Sequence, residues 1–204
     1  MIRSGVNAYT AQMHLNDGKT CWDFYDPTWF AERYHRATWC ADRFGQSLTF
    51  LPDGRIVQVA GEHEDFGDPD FCIYNDVFVH DVDGSITIYG YPDDLFPPTD
   101  FHTATLVGEY IYLIGSVGYP GARGFDTTPV YRLDVVNFEI ERLETSGESP
   151  GWIGRHRAKL LSPHEVCISD GKVIVRNGDK EEFVDNHQSF VLDLSTLVWR
   201  RATQ

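Results

Sequence analysis

Over most of its length the chain alternates short runs of β-branched and aromatic residues with clusters of Gly, Asp, Pro and Ser. The clearest stretch spans residues 101–143. It reads Phe-His-Thr-Ala-Thr-Leu from Phe101, then Tyr-Ile-Tyr-Leu-Ile-Gly at 110–115, Pro-Val-Tyr-Arg-Leu-Asp at 129–134, and a last run at 138–143. Runs of this composition, bounded by turn residues, read as four β-strands. The same order precedes it: 46–51, a turn at Asp53-Gly54, 55–60, then 76–81, a turn at Asp83-Gly84, and 85–89. It follows again at 156–161, 165–169, 189–193 and 197–201. Each Asp-Gly supplies the positive φ angles that a two-residue hairpin requires. The segment 170–188 reads as a long loop. Residues 1–43 are less regular, with strand-like runs at 7–15 and 21–25 and helical turns expected within 30–40.

Spacing makes this a repeat. Gln46, His102 and His156 lie 56 and 54 residues apart, and Asp81, Asp134 and Asp193 lie 53 and 59 apart. Asp26 precedes Asp81 by 55, so a degenerate unit is expected to end near the N-terminus. A period near fifty with four strands per unit is the signature of a propeller blade. The expected fold is therefore all-β. It comprises three four-stranded blades, at about 44–91, 100–143 and 154–202, with a less regular segment at 1–43. Three blades do not close a ring, so an incomplete or small propeller is expected, or a homodimer of half-rings.

The pieces His-Thr-Ala-Thr-Leu, Tyr-Ile-Tyr-Leu-Ile-Gly, Val-Tyr-Arg-Leu-Asp and the closing Leu-Asp-Leu-Ser-Thr-Leu-Val-Trp199 resemble kelch repeats over about 44–201. The usual Gly-Gly after the second strand stands here as Gly61-Glu62, Gly115-Ser116 and Asp170-Gly171. The fourth-strand Trp is kept at Trp199 and replaced by Ile140 in the middle copy. The resemblance implies a structural role for His102 and His156, bonded to backbone between strands. It also implies that the loops between second and third strands, with those joining blades, form a contact face for a protein or peptide.

Charge and composition narrow the partners. The formal net charge of −14 disfavours nucleic acid, whose phosphates need clustered Lys and Arg, and an anionic membrane surface for the same reason. The first residues lack the apolar core of a secretory signal, and no apolar run reaches membrane-spanning length. Cys21, Cys40, Cys72 and Cys167 are scattered without a Cys-x-x-Cys pair, which fits free thiols in the cytoplasm.

Three stretches carry candidate chemistry. The run 61–70 holds five carboxylates and an imidazole, among them Glu62, His63, Glu64 and Asp65. Hard oxygen ligands of this kind suit Ca²⁺ or a basic partner, although the spacing is not that of an EF-hand. The glycine-rich stretch 115–124 contains Tyr119 and Arg123, lacks the Gly-Lys-Ser/Thr of a phosphate loop, and reads as a flexible connection. Trp152 and Arg155 place an indole near a guanidinium at the start of the third unit. No Gly-x-Ser-x-Gly or His-Glu-x-x-His occurs. The leading expectation is a binding module for a protein or peptide, with no cofactor, whose contacts are Glu62, His63, Glu64, Asp65, Tyr119, Arg123, Trp152 and Arg155. Two alternatives stay open. One is a divalent-metal-dependent enzyme or cation-binding protein built on the acidic loop 62–70; the other is a self-assembling half-propeller.

Overall fold

The computed structural model describes residues 2–3, 43–63 and 71–203. The runs at 7–15, 21–25 and 30–40, the degenerate blade, Cys21, Cys40, Glu64, Asp65 and the rest of the acidic loop lie outside the described residues. Among those described, every regular element is a strand, and no helix is long and apolar enough to cross a membrane. The chain divides into two compact units, one ending at Pro98 and the other beginning at Thr99.

The first unit is one five-stranded sheet, all antiparallel. Its strands are β1 (Ile2–Arg3), β2 (Ser47–Phe50), β3 (Ile56–His63), β4 (Cys72–His80) and β5 (Ile86–Gly90), in the order β1-β5-β4-β3-β2. The interior strands are buried on both faces, as shown by Val57, Gln58 and Val59 on β3 and Val77, Phe78 and Val79 on β4. Both Asp-Gly turns are three-residue rather than two-residue loops. Gly54 N donates to Leu51 O, Leu51 N donates to Arg55 O, and Gly84 N with Asp81 N repeats the pattern. Only Gly54 and Gly84 have positive φ, while Asp53 and Asp83 accept from Arg55 N and Ser85 N. This is a type I turn closed by a glycine bulge. Among the described residues the unit buries one ion pair: the Arg43 guanidinium is bidentate to Asp76 and lies 3.5 Å from the centroid of the Tyr74 ring.

The second unit contains three sheets. Strands β6 (Thr103–Val107), β7 (Tyr110–Ile114), β8 (Val130–Asp134) and β9 (Ile140–Arg142) form an antiparallel meander. The remaining strands are β10 (Ser146–Gly147), β11 (Ile153–Gly154), β12 (Arg157–Ser162), β13 (Glu165–Ser169), β14 (Lys172–Asn177), β15 (Lys180–Asp185), β16 (Phe190–Asp193) and β17 (Val198–Arg201). One sheet has the order β10-β17-β16-β13-β12, with only the β10–β17 pair parallel; the other has the order β11-β14-β15. The expected third blade thus keeps its four strands and gains β10. The expected long loop at 170–188 is instead a β-hairpin with its own sheet.

The two larger sheets of this unit stack as neighbouring propeller blades do. Ile114 and Val130 of the first pack into one cluster with Ile153 and with Val166, Ile168, Phe190, Leu192 and Trp199 of the second. The aspartates that mark the repeat here act locally. Asp134 Oδ1 accepts from the backbone N–H of Val136 (2.7 Å) and Asn137 (3.1 Å), and Asp193 Oδ1 does the same for Ser195 (2.8 Å) and Thr196 (2.9 Å). Each carboxylate satisfies donors that the turn into the fourth strand leaves unpaired.

Candidate functional site

The largest gathering of expected contact residues in the second unit forms where the glycine-rich stretch leaves β7. Gly115 has φ +74, and a Cβ there would lie 2.3 Å from Ile153 O, so only glycine fits. The chain then runs beside β11, with Ser116 N donating to Ile153 O at 2.9 Å. Asp100, fully buried, fastens the next residues: its Oδ1 accepts from Gly118 N (2.6 Å) and from Ser116 Oγ (3.2 Å), and its carbonyl accepts from Val117 N (3.1 Å). Asp100 Oδ2 is buried without a hydrogen-bond partner.

Arg123 fixes the far end of the same stretch. Its Nε donates to Val117 O (2.8 Å) and one terminal nitrogen to Gly118 O (2.7 Å); the other pairs with Glu181 on β15. The guanidinium also lies 5.4 Å from the centroid of Phe183. With its side chain only 5% exposed, Arg123 is a brace and not an open contact. Trp152 braces the stretch as well, since its indole N–H donates to Val117 O at 3.1 Å while the ring lies against Gly118 and Gly124. The expected flexible connection is therefore tied at both ends, and Arg123 and Trp152 meet on one carbonyl. Tyr119 belongs to the same stretch, and its carbonyl accepts from Ala122 N.

Arg155 is different. It is exposed, its φ is +58, and its guanidinium stacks 4.1 Å from the centroid of Phe101, whose carbonyl accepts from Arg155 N. No carboxylate pairs with it among the described residues. Arg176 on β14, which sequence reasoning missed, stacks on Phe125 at 4.6 Å in the same way. Gly178-Asp179 between the apolar runs 173–175 and 183–184 was the signal that marks its hairpin.

Glu62 and His63 lie in the first unit, on the extended end of β3 rather than in a loop. Glu62 exchanges backbone hydrogen bonds with Phe44 at 2.8 Å, and His63 faces Cys72 across the sheet. Cys72 and Cys167 are not joined in a disulfide among the described residues. His102 and His156 are buried in the second unit, and burial holds both imidazoles neutral. His102 is pushed down to about 3, with the neighbouring His156 adding to the effect, and His156 to about 4. His156 Nε2 meets the Thr103 hydroxyl at 2.9 Å, a side chain rather than the expected backbone group. No three His, Cys, Asp or Glu gather as metal ligands among the described residues.

Chemically, the second unit offers rigid loops, outward cations stacked on rings, and β15, an edge strand among the described residues. No protein-family model matches the chain, and no curated protein matches it significantly.

Proposed function

We propose that this chain is a kelch-like binding module of the cytoplasm that recognises a protein or peptide through one face of its second unit, made of the stretches 115–128 and 144–155 and the β14–β15 hairpin within 170–188. Arg155 is the observation that carries this reading. Its guanidinium is exposed, oriented by Phe101 and by a backbone hydrogen bond, and unopposed by any carboxylate among the described residues. A cation already ordered on an aromatic ring loses little conformational entropy when it meets a carboxylate or carbonyl of a partner.

The kelch-type character draws support from the exit of the second strand. Ala60 and Gly61 both have positive φ (52° and 97°), as do Asp170 and Gly171 (60° and 80°). A paired glycine is what such a conformation favours, and the pair in the first unit begins one residue before Gly61-Glu62. The thiol of Cys167, in no disulfide among the described residues, suits a reducing compartment.

The test is cross-linking and capture from native extract with the wild type and with Arg155→Glu. Specific partners retained by the wild type and lost by the variant, with unchanged thermal stability, are expected. An identical partner set for both would remove Arg155 and this face from the reading.

A further inference from the structure

We infer that β15 is a docking strand, to whose outer edge an extended peptide carrying Lys or Arg adds as the fourth strand of the β11-β14-β15 sheet; the inference rests on the binding-module reading.

Strand edges in folded proteins are normally kept short, bulged or covered, because unpaired N–H and C=O groups recruit other chains. In the second unit β9 has three residues, and β12 carries a register shift between Leu160 and Ser162. Among the described residues β15 is neither short, bulged nor covered, and its guard is charge, in Lys180, Glu181, Glu182 and Asp185. It is six residues long, contains no proline, and pairs with β14 in unbroken register from Lys172↔Asp185 to Asn177↔Lys180. The two-residue Gly178-Asp179 turn makes Asn177–Lys180 a hydrogen-bonded pair, and alternation extends this to 175–182 and 173–184. The outward-facing N–H and C=O groups therefore belong to Glu181, Phe183 and Asp185. None of them is bonded to another backbone group among the described residues.

The side chains say what would pair there. Phe183 is 46% exposed and Val184 is 47% exposed, and they point to opposite faces of the sheet, so an added strand would meet an apolar side chain on each face. Asp179 and Glu182 are exposed carboxylates with no Lys or Arg partner among the described residues, on a chain whose net charge is −14. Opposite charges facing each other across strands are favourable and like charges unfavourable, which selects a basic peptide over an acidic one. Arg123 holds the strand in place through Glu181 and Phe183, so the edge is ordered before anything binds.

The experiment is a fluorescence anisotropy titration of the full chain with a labelled, acetylated ten-residue peptide that alternates Lys with Val and Thr. Three comparators accompany it: the peptide N-methylated on alternate residues in each of the two possible frames, and the peptide with Glu in place of Lys. Saturable binding is expected, at least about tenfold weaker for one methylated frame and for the Glu peptide. Phe183→Pro, which removes one outward N–H and leaves the bonds to β14, is expected to weaken binding by a similar factor with the hairpin's circular dichroism retained. Should that variant unfold the hairpin, the methylated frames decide the matter without any mutation. No binding, equal binding of both methylated frames, or equal binding of the Glu peptide would overturn the inference. Self-association lost on Phe183→Pro would overturn it too, by assigning the edge to a second copy. If native partners still depend on Arg155 in any of these cases, only the edge is lost; if the wild type captures none, the binding-module reading itself fails.

Discussion

Gln46 in the first unit and His156 in the second stand at the same point of the repeat, one residue before the outermost strand of their sheets. Both lie against a positive-φ glycine at the end of the second strand, Gly61 within the last residues of β3 and Gly171 just after β13. A Cβ on Gly61 would fall 2.9 Å from Gln46 Cβ, and one on Gly171 would fall 2.6 Å from His156 N. The chemistry of the two side chains differs. Gln46 Oε1 accepts from Gln58, whose own carbonyl oxygen lies 3.1 Å from His80 Nε2. His156 bonds Thr103 through Nε2 and leaves Nδ1 buried without a partner. The position therefore demands a shape that fills the space beside a glycine, and tolerates either an amide or an imidazole. What the imidazole adds is sensitivity to acid.

The largest effect should come from the glycines. Gly115→Ala and Gly171→Ala each combine a positive φ with a Cβ pressed onto backbone, at 2.3 Å from Ile153 O and 2.6 Å from Gly154 O. Urea denaturation should show losses of about 3–5 kcal/mol, from left-handed strain and overpacking together. Gly108→Ala, where φ is +60 but nothing lies within 4 Å, should cost only about 1 kcal/mol. Equal losses at all three would mean that φ alone, and not the contact with the next segment, explains the glycines.

Acid should weigh next on the second unit, beyond what His80, also lowered by burial, adds in the first. With folded values near 3 and 4, His102 and His156 stay neutral in the native state while the unfolded chain protonates near pH 6.5. At higher pH both states are neutral and nothing is lost. As pH falls from about 6.5 to about 4, stability should decline by up to about 1.4 kcal/mol per pH unit for each histidine, then level off once the folded state also takes protons. His156→Gln, which copies the first unit's solution, should remove about one proton from that slope in pH-dependent urea melts. An unchanged slope would place the acid sensitivity elsewhere.

The last effect, small beside the strained glycines, concerns Arg123. Arg123→Ala frees the Gly118 carbonyl and Glu181 and leaves Val117 O to the Trp152 indole, and should cost about 1–2 kcal/mol. Hydrogen exchange should quicken in 115–124 and 172–185, with the first unit unaffected. Faster exchange throughout would mean that the brace supports more than its own corner.

The strands were legible because their signal is local. The expected runs at 110–115, 129–134 and 138–143 became β7, β8 and β9 with shifts of one or two residues at their ends. Asp134 and Asp193 marked turns because a carboxylate two or three residues from its own donors needs no distant partner. The hairpin of β14 and β15 was hidden by Glu181-Glu182, which breaks the alternation of one strand and reads as solvated loop. Among the site residues, the chain neighbours Trp152 and Arg155 suggested an indole beside a guanidinium, whereas Arg155 stacks on the distant Phe101 and Trp152 bonds to Val117 O. That Arg123 is buried depends on Glu181, 58 positions away, and spacing gives no hint of it.

The turns at Asp134 and Asp193 differ in kind from the corner at Gly115. Each aspartate turn is fastened by bonds made within a single sheet, whereas Gly115 is shaped by Ile153 and His156 of the segment that follows. The first kind can be copied as a cassette: duplicate it and it works wherever it lands. The second cannot, since every new copy would need a matching neighbour. Gene duplication in a protein built this way would preserve the aspartate corners and leave the glycine corners to drift with whatever came next.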